Sequence, residues 1–335
     1  MFRKIKIILG VVITLSIIFS SFLYAKDKGK YERYKTRYYD TYYRSPTWLD
    51  NERIIFVKYV FYNRRYLLPI VEEFYTVRAD YCICSMKTDG TDEETIKQFT
   101  TIYDKHGEVV KEVVMIEDGK EIPVKEAICP FDIDCSPKAG LIAFSEKDNI
   151  YIMKTDGSDL TKIAKGGGPR FSPDGTKILY RRKDGPHIMN SDGTNKYKVI
   201  DEGALGISAI WYPDGKRIYF FYSDVKVKDS SLYVINIDGT GKEKFIETGV
   251  WIEDWSPDGS RFIAGRSMYT AEGKNIWNDY LGTHSSNPKR YCIPNNARFS
   301  PDGTKIVGHS TYEPWGEIAI LSSDFISIKV LRRNE

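Results

Sequence analysis

The sequence predicts an all-β protein: a six-bladed β-propeller of four-stranded antiparallel blades, preceded by an N-terminal signal or anchor helix. Three observations support this prediction. A turn phrase containing Pro-Asp-Gly recurs at intervals of 36 to 44 residues, a second phrase ending in Asp-Gly alternates with it, and the first 25 residues combine a basic and an apolar stretch. The many aromatic residues (24 Tyr and 16 Phe among 335) are typical of strands.

The first phrase is an aromatic residue followed by Ser-Pro-Asp-Gly or Tyr-Pro-Asp-Gly. Proline presets φ at the first corner of a turn, aspartate suits the second, and glycine takes the left-handed position that closes a hairpin. Copies stand at 171–175, 211–215, 255–259 and 299–303, with a degenerate copy at 135–140. The turn residues are therefore predicted to be structural: Asp174, Gly175, Asp214, Gly215, Asp258, Gly259, Asp302 and Gly303.

The second phrase is a strand that runs into an Asp-Gly turn. It occurs at 150–157, 187–193 and 232–239, and the stretch 276–282 is a weaker copy, one residue shorter. The β-rich stretch after each first phrase and a further short strand after each second phrase complete the period. Four short antiparallel strands in about 40 residues are typical of a propeller blade.

Extending the pattern toward the N-terminus gives the blade count. Residues 46–56 match the first phrase with one residue deleted, and 80–90 match the second. Blade one is enlarged by 59–77 and by a hairpin turning at 117–120, and the last blade carries all four of its strands, so no strand is exchanged at the seam. The predicted blades are 45–122, 123–165, 166–203, 204–248, 249–293 and 294–335.

The alternation of (Phe/Trp)-Ser-Pro-Asp-Gly with Ile-Tyr-x-Met-x-x-Asp-Gly resembles the TolB-type, WD-like propeller repeat of bacterial exported proteins. The resemblance is strong over residues 130–325 and degenerate over 45–122. It implies the fold more specifically than the function, because the same blade occurs in the periplasmic TolB scaffold, in the propellers of prolyl oligopeptidase-type hydrolases and in oligogalacturonate lyase. TolB also has an N-terminal α/β domain, for which residues 26–44 are too few. We therefore expect a stand-alone propeller.

Residues 1–25 have the pattern of a targeting segment. Arg3, Lys4 and Lys6 precede an apolar run over 7–23, and Ala25 is followed by polar residues. A signal peptide cleaved after Ala25 and an uncleaved membrane anchor both match this pattern, since the run is long for the first and short for the second. Either alternative places the rest of the chain outside the cytoplasm, in the periplasm or another extracytoplasmic compartment.

Residues 26–44 contain six tyrosines, seven Lys or Arg, three acidic residues and no apolar aliphatic residue. This composition predicts a linker between the membrane and the propeller, or alternatively a segment that binds a membrane surface or a partner peptide. Past residue 25 the chain has 46 basic and 46 acidic side chains, hence no net charge. The lack of a positive field argues against nucleic-acid binding, and membrane contact is expected only through the N-terminal segment.

Motifs for cofactors, metals or catalysis are missing from the sequence. There is no Gly-x-Ser-x-Gly elbow and no zinc-ligand spacing, so we expect no cofactor and no metal site. The four histidines are scattered and are expected to be structural or exposed: His106, His187, His284 and His309. The odd number of cysteines leaves at least one unpaired among Cys82, Cys84, Cys129, Cys135 and Cys292. Buried thiols are the simpler interpretation, and a bond from Cys129 to Cys82 or Cys84 is the alternative.

Candidate binding residues come from the innermost strand of each blade. The residue before the aromatic position of the first phrase alternates with it and is expected to face the central channel. Asp132 and Glu253 are close by in sequence. Either the acids and bases of this set neutralise one another between neighbouring blades, or Arg170 and Arg298 contact an anionic group of a ligand. The set is Thr47, Asp134, Arg170, Ile210, Asp254 and Arg298.

These features favour an exported, non-enzymatic scaffold that binds a protein or peptide partner in the cell envelope. The alternative is a propeller enzyme, an oligosaccharide lyase or hydrolase, with its site in the central channel. A third interpretation is a sensor or assembly component held at the membrane by residues 7–23.

Overall fold

The computed structural model contains six antiparallel β-sheets that follow one another along the chain. Among the residues it describes, no helix is long and apolar enough to cross a bilayer, and the predicted signal or anchor lies outside them. The described residues are 37–67, 72–103, 109–115, 121–123, 128–200, 209–224, 229–247, 251–265, 267–278, 293, 295–309, 318–323 and 328–332.

Blade one is larger than the others and has six strands instead of four. Its strands follow the sequence order, each paired with the next. The second and third strands are paired from Arg53–Lys87 to Leu67–Glu72 with one irregularity, which is about twice the length of a strand in the other blades. The bounds are β1 Arg37–Trp48, β2 Arg53–Leu67, β3 Glu72–Lys87, β4 Glu94–Tyr103, β5 Val109–Met115 and β6 Glu121–Pro123.

Part of the predicted linker is a strand, which corrects the interpretation of residues 37–44. This stretch is the first half of β1 and pairs with β2 from Arg37–Arg64 to Arg44–Val57. Tyr43 is buried and packs edge-on against Phe56. The linker prediction rested on the absence of aliphatic residues, but tyrosine rings supply the apolar surface that a strand needs. Residues 26–36 lie outside the described residues.

The other five blades are four-stranded, as predicted. In each of them the four strands lie side by side in sequence order. The bounds are β7 Phe131–Ser136, β8 Leu141–Glu146, β9 Asn149–Lys154 and β10 Thr161–Lys165; β11 Gly167–Phe171, β12 Lys177–Arg182, β13 Gly185–Asn190 and β14 Tyr197–Lys198; β15 Ala209–Trp211, β16 Arg217–Asp224, β17 Asp229–Asn236 and β18 Glu243–Glu247; β19 Ile252–Trp255, β20 Arg261–Ala264, β21 Ser267–Thr270 and β22 Asn275–Asn278; β23 Asn295–Phe299, β24 Lys305–His309, β25 Ile318–Ser322 and β26 Ile328–Arg332.

The alignment of blade five within the repeat was wrong. Residues 276–282 were interpreted as its second phrase, but Ile276 lies in the outermost strand β22. The third strand is β21, and the turn after it ends at Gly273, whose N–H donates to the Thr270 carbonyl. The turn glycine is preceded here by Ala271 and Glu272, whereas the other copies have aspartate directly before the glycine. This difference explains why the sequence pattern misses the phrase.

The hydrophobic core lies between the blades. In the described part of the chain, six buried clusters each join two neighbouring sheets, and together they connect all six sheets into a ring. The cluster between blades one and six contains Phe56 and Met86 from one side and Val307 and Leu331 from the other. Burial of apolar side chains between sheets is therefore what holds neighbouring blades together.

The ring closes without exchange of a strand among the described residues. Sheet six consists of the last four strands and sheet one of the first six. Across this seam the indole Nε1–H of Trp48 donates to the Arg298 carbonyl at 2.9 Å, and the backbone N–H of Asp302 donates to the Asn51 side chain at 3.0 Å. Side-chain packing and these hydrogen bonds thus hold blades one and six together.

The Pro-Asp-Gly turns form a repeated hydrogen-bond network. In blade five, the Ser256 hydroxyl donates to Asp258 at 2.6 Å, and Asp258 also accepts the Ser260 N–H at 3.0 Å. These bonds favour the carboxylate and lower the pKa of Asp258 to about 2. Asp174 and Asp302 accept equivalent bonds from Ser172 and Ser300. All four predicted turn aspartates accept a backbone N–H two residues ahead.

The turn glycines also form contacts between blades. Gly175 has φ +77°, and a Cβ added there would lie 2.6 Å from the Ser136 hydroxyl of the preceding blade. Gly157, at the end of the second phrase, has φ +84° and lies against the Ile96 carbonyl of blade one. Glycine is thus required at such positions for two reasons, the left-handed backbone conformation and the close approach of the preceding blade. The glycines that face the preceding blade are Gly157, Gly175, Gly193, Gly215, Gly239, Gly259, Gly273 and Gly303.

Candidate functional site

The innermost strands carry irregularities that orient the channel side chains. In blades one, two, three, five and six, the pairing of the inner strand shifts just before the predicted channel residue. A β-bulge of this kind bends the strand and redirects the following side chain. Residues with positive φ stand at four of these bulges: Ser45, Asp132, Gly168 and Asn296.

The structure brings the six predicted channel residues together. All of them line a cavity of about 650 Å³ at the end of the channel where the prolines of the first phrase converge. Arg170, Ile210 and Arg298 also line a second cavity of about 340 Å³, which we call the mouth pocket. These three side chains therefore lie between the two cavities. Their role in ligand binding remains a prediction.

Asp134 and Asp254 connect neighbouring blades through the backbone. Asp134 Oδ2 accepts the Phe171 N–H at 2.8 Å, and Asp254 Oδ2 accepts the Phe299 N–H at 2.8 Å. Burial raises the pKa of both carboxyls, and it raises that of Asp254 to about 7 although the Phe299 N–H and Arg170 oppose the change. The two carboxylates thus have a clear structural function.

We expect replacement of Asp254 by asparagine to abolish a pH dependence of stability. The folded-state pKa near 7 lies above the ordinary value of 3.8, so the folded state holds this proton more tightly and stability falls as pH rises between about 4 and 7. The amide of Asp254→Asn still accepts the Phe299 N–H but carries no charge. At pH 8 the variant should be more stable than wild type by about 2 kcal/mol.

Urea denaturation at about pH 5 and pH 8 measures this difference. The matched control is Asp258→Asn, because the pKa of Asp258 lies near 2 and its carboxylate does not titrate in this range. The control should lose stability at both pH values. If wild type and Asp254→Asn change in parallel between the two pH values, Asp254 does not cause the pH dependence.

Only one of the two predicted ion pairs between neighbouring blades is formed. Arg170 lies 4.0 Å from Asp134, the limit of an ion pair. Arg298 is 8% exposed, and its Nη1 donates to the Glu253 carbonyl at 2.6 Å. Within the described residues Arg298 has no ion pair, and the expected pairing of Asp254 with Arg298 is not formed. A buried guanidinium without a carboxylate favours binding of an anion from outside.

Several residues of the mouth pocket were not predicted as site residues. Trp251 is 59% exposed and precedes β19, and Arg181 lies near the turn between β12 and β13. Trp251 could have been identified from the sequence, because it is an isolated tryptophan in a connection between two blades. Glu253, noted from the sequence only as a neighbour, accepts the Ala297 N–H at 2.8 Å. The remaining unpredicted lining residues include Gly168 and Asn296.

The described histidines lie away from both cavities. His187 is buried beside Tyr180, with its Nδ1 3.2 Å from the Gly185 carbonyl, and burial lowers the pKa of His309 in β24. His106 and His284 lie outside the described residues. In the described part of the chain, no group of three or more His, Cys, Asp or Glu side chains is close enough to hold a metal ion.

The described cysteines are free thiols, so the alternative of a bond from Cys129 to Cys82 or Cys84 is wrong. Cys82 and Cys84 pack in the cluster between blades one and six, whereas Cys129 packs in the cluster between blades one and two. The two groups lie on opposite faces of the first sheet. Cys292 lies outside the described residues.

Comparison with known proteins gives structural matches only. No protein family and no curated protein matches the sequence. TolB from Acinetobacter baumannii superimposes with a TM-score of 0.51 at 14% identity, covering 80% of this chain and 74% of that one. The fold is that of a TolB-type propeller. The TolB-type fold implied by the sequence resemblance is thereby confirmed, at an identity that shows the fold alone.

Two further structures that match this chain are those of named enzymes. Acylaminoacyl peptidase from Pyrococcus horikoshii has a TM-score of 0.48 at 14% identity, covering 88% of this chain and 46% of that one. Oligogalacturonate lyase from Vibrio parahaemolyticus has a TM-score of 0.39 at 13% identity, covering 87% of this chain and 92% of that one.

Proposed function

We propose that this chain is an exported, non-enzymatic propeller scaffold that binds a protein or peptide partner of the cell envelope at its central channel. The observation that carries the proposal is Arg298, a buried guanidinium that lines the mouth pocket without an ion-pair partner among the described residues. Arg170 comes from the opposite blade of the ring and faces the same space. The two arginines contact an anionic group of the partner.

The chemistry of the other channel residues supports binding over catalysis. General acid–base catalysis needs titratable side chains that are free to exchange protons with a substrate. Asp134 and Asp254 each hold a backbone N–H of the next blade, so part of their hydrogen-bonding capacity is used in the fold. The export of the protein is supported by the basic and apolar pattern of residues 1–25 and by the likeness to TolB.

The test is a pull-down with the tagged full-length chain from a detergent-solubilised envelope extract, read by mass spectrometry. We expect one stoichiometric protein that is retained by wild type and lost with Arg170→Ala/Arg298→Ala. Arg182→Ala is the matched control, because this arginine is exposed and lies outside both cavities. Absence of any partner, or a partner retained equally by the double variant, contradicts the proposed binding at the channel.

A propeller enzyme, an oligosaccharide lyase or hydrolase, is the second candidate, and one observation favours it. The pKa of Asp254, raised to about 7 in the channel, suits a general acid or base at neutral pH. Screening wild type and Asp254→Asn with oligosaccharides and peptides distinguishes the two functions. Turnover by wild type that disappears in the variant supports the enzyme, and its absence supports the scaffold.

A further inference from the structure

We infer that the mouth pocket is a recognition site for a single carboxylate joined to an apolar or aromatic side chain, as found at the C-terminus of a peptide. This inference deepens the proposed function, on which it rests, by naming the chemical group that the partner presents. It depends on the charge of the pocket, on the two arginines at its inner end and on the exposed indole that lines it.

The charge of the mouth pocket corresponds to one anion. Three arginines line it, Arg170, Arg181 and Arg298, and so do two acids, Asp132 and Glu253. Arg170 has Asp134 at 4.0 Å, whereas Arg298 has no ion pair among the described residues and is the buried cation left for an external anion. One carboxylate neutralises Arg298, whereas the two acids of the pocket would repel a polyanion. Guanidinium groups also bind planar carboxylates through two parallel hydrogen bonds. The pocket therefore selects a monoanion with two oxygen atoms.

The inner end of the pocket has space for such a group. A recess of about 30 Å³ lies beside Arg170 and Arg298 and is also lined by Asn296 and Asp132. This volume suits a group of a few atoms. The same two arginines and Ile210 lie between the mouth pocket and the cavity of about 650 Å³. A ligand that enters from the mouth is thus expected to end at the arginines, which favours a terminal group over a chain that passes through.

Apolar side chains also line the pocket. Trp251 is the most exposed of the large apolar side chains that the structure describes, and the buried Ile252, Leu179 and Ile210 line the same pocket. An exposed tryptophan at the rim of a pocket is a typical anchor for a ligand side chain. The volume of about 340 Å³ is at the lower end of the range for small-ligand sites. It suits a terminal residue with a large side chain.

A carboxylate can reach this site from a C-terminus or from a Glu or Asp side chain, and small probes distinguish the two. N-acetylphenylalanine presents a terminal carboxylate, N-acetylphenylalaninamide presents none, and N-acetyl-Glu-Phe-amide presents a side-chain carboxylate. Glucuronate serves as a carboxylate without an apolar group. Each probe is titrated into the full-length chain labelled with 5-fluorotryptophan, and binding is followed by fluorine NMR. The signal of Trp251 is the one that disappears in the Trp251→Phe variant.

We expect N-acetylphenylalanine to shift the Trp251 signal saturably and its amide to bind at least about 10-fold more weakly, the loss expected for a charge-assisted hydrogen bond. Arg298→Gln and Arg170→Gln should also weaken the binding of N-acetylphenylalanine by about 10-fold, while Arg182→Gln should leave its affinity unchanged. Because Arg298 is buried, a variant at this position can fail to fold. Trp251→Ala, at an exposed position, then provides the second test and should weaken N-acetylphenylalanine without lowering the melting temperature.

Equal binding of acid and amide, tighter binding of glucuronate than of N-acetylphenylalanine, or no binding up to about 20 mM overturns the inference. Equal binding of N-acetyl-Glu-Phe-amide and N-acetylphenylalanine supports the carboxylate site with a side chain as its source. A partner that is captured in an arginine-dependent manner while all carboxylate probes fail would contradict this inference and leave the proposed function intact.

Discussion

Replacing Gly157 by alanine is expected to destabilise the propeller by about 3 kcal/mol or more. Two costs add at this position. The backbone has φ +84°, which an alanine adopts only with strain, and the new Cβ would lie 2.4 Å from the backbone carbonyl oxygen of Ile96. Because that oxygen belongs to strand β4 of blade one, it moves only if the two blades separate. Urea or thermal denaturation of the purified variant measures the loss.

Gly140→Ala separates strain from steric overlap. Gly140 has φ +66°, and a Cβ there meets nothing within 4 Å. This variant should cost only about 1 kcal/mol, the price of the left-handed conformation. Equal losses for Gly140→Ala and Gly157→Ala would show that the contact between blades contributes nothing beyond backbone strain.

Replacing Trp48 by alanine is expected to cost about 4 kcal/mol and to open the seam of the ring. The indole is buried, and its Nε1–H donates to the Arg298 carbonyl of blade six. At each of the other five interfaces the two blades are consecutive in the chain and joined by a connecting segment. Blades one and six are not joined in this way. We therefore expect faster amide hydrogen exchange in β1 and in strands β24 and β25 than in the rest of the protein, measured by mass spectrometry.

Trp211→Ala is the matched control for the seam. Trp211 is also buried and donates to the Arg170 carbonyl at 3.0 Å, but blades three and four are consecutive in the chain. The control should lose similar global stability without local opening. If both variants show the same pattern of exchange, the seam is no weaker than the other interfaces.

The repeat made much of the fold predictable from the sequence. Each Pro-Asp-Gly turn has a local physical cause that the residues themselves display, so the blade count follows from counting turns. The prediction failed where the cause was not local. Residues 37–44 form a strand only because β2 supplies a partner, and blade five was misaligned because Glu272 replaces the usual aspartate.

The candidate site was predictable only in part. Strand alternation predicts that Arg170 and Arg298 face the channel, and both side chains line the two cavities. The sequence could not show that Arg298 turns toward the Glu253 carbonyl, because side-chain orientation depends on packing between blades. Trp251 was missed for the same reason: its place at the rim depends on how the connections between blades converge in space.

The eight turn glycines named above all face backward around the ring, and this direction matches the order in which the chain is synthesised. Each of these glycines, from Gly157 to Gly303, faces residues that were synthesised before its own blade. Gly90 of blade one is different, because it faces Leu331, close to the end of the chain. A chain that folds as it is synthesised can thus dock each new blade on a finished one. Only the first blade must wait for the last, so closure of the ring is the final step of assembly.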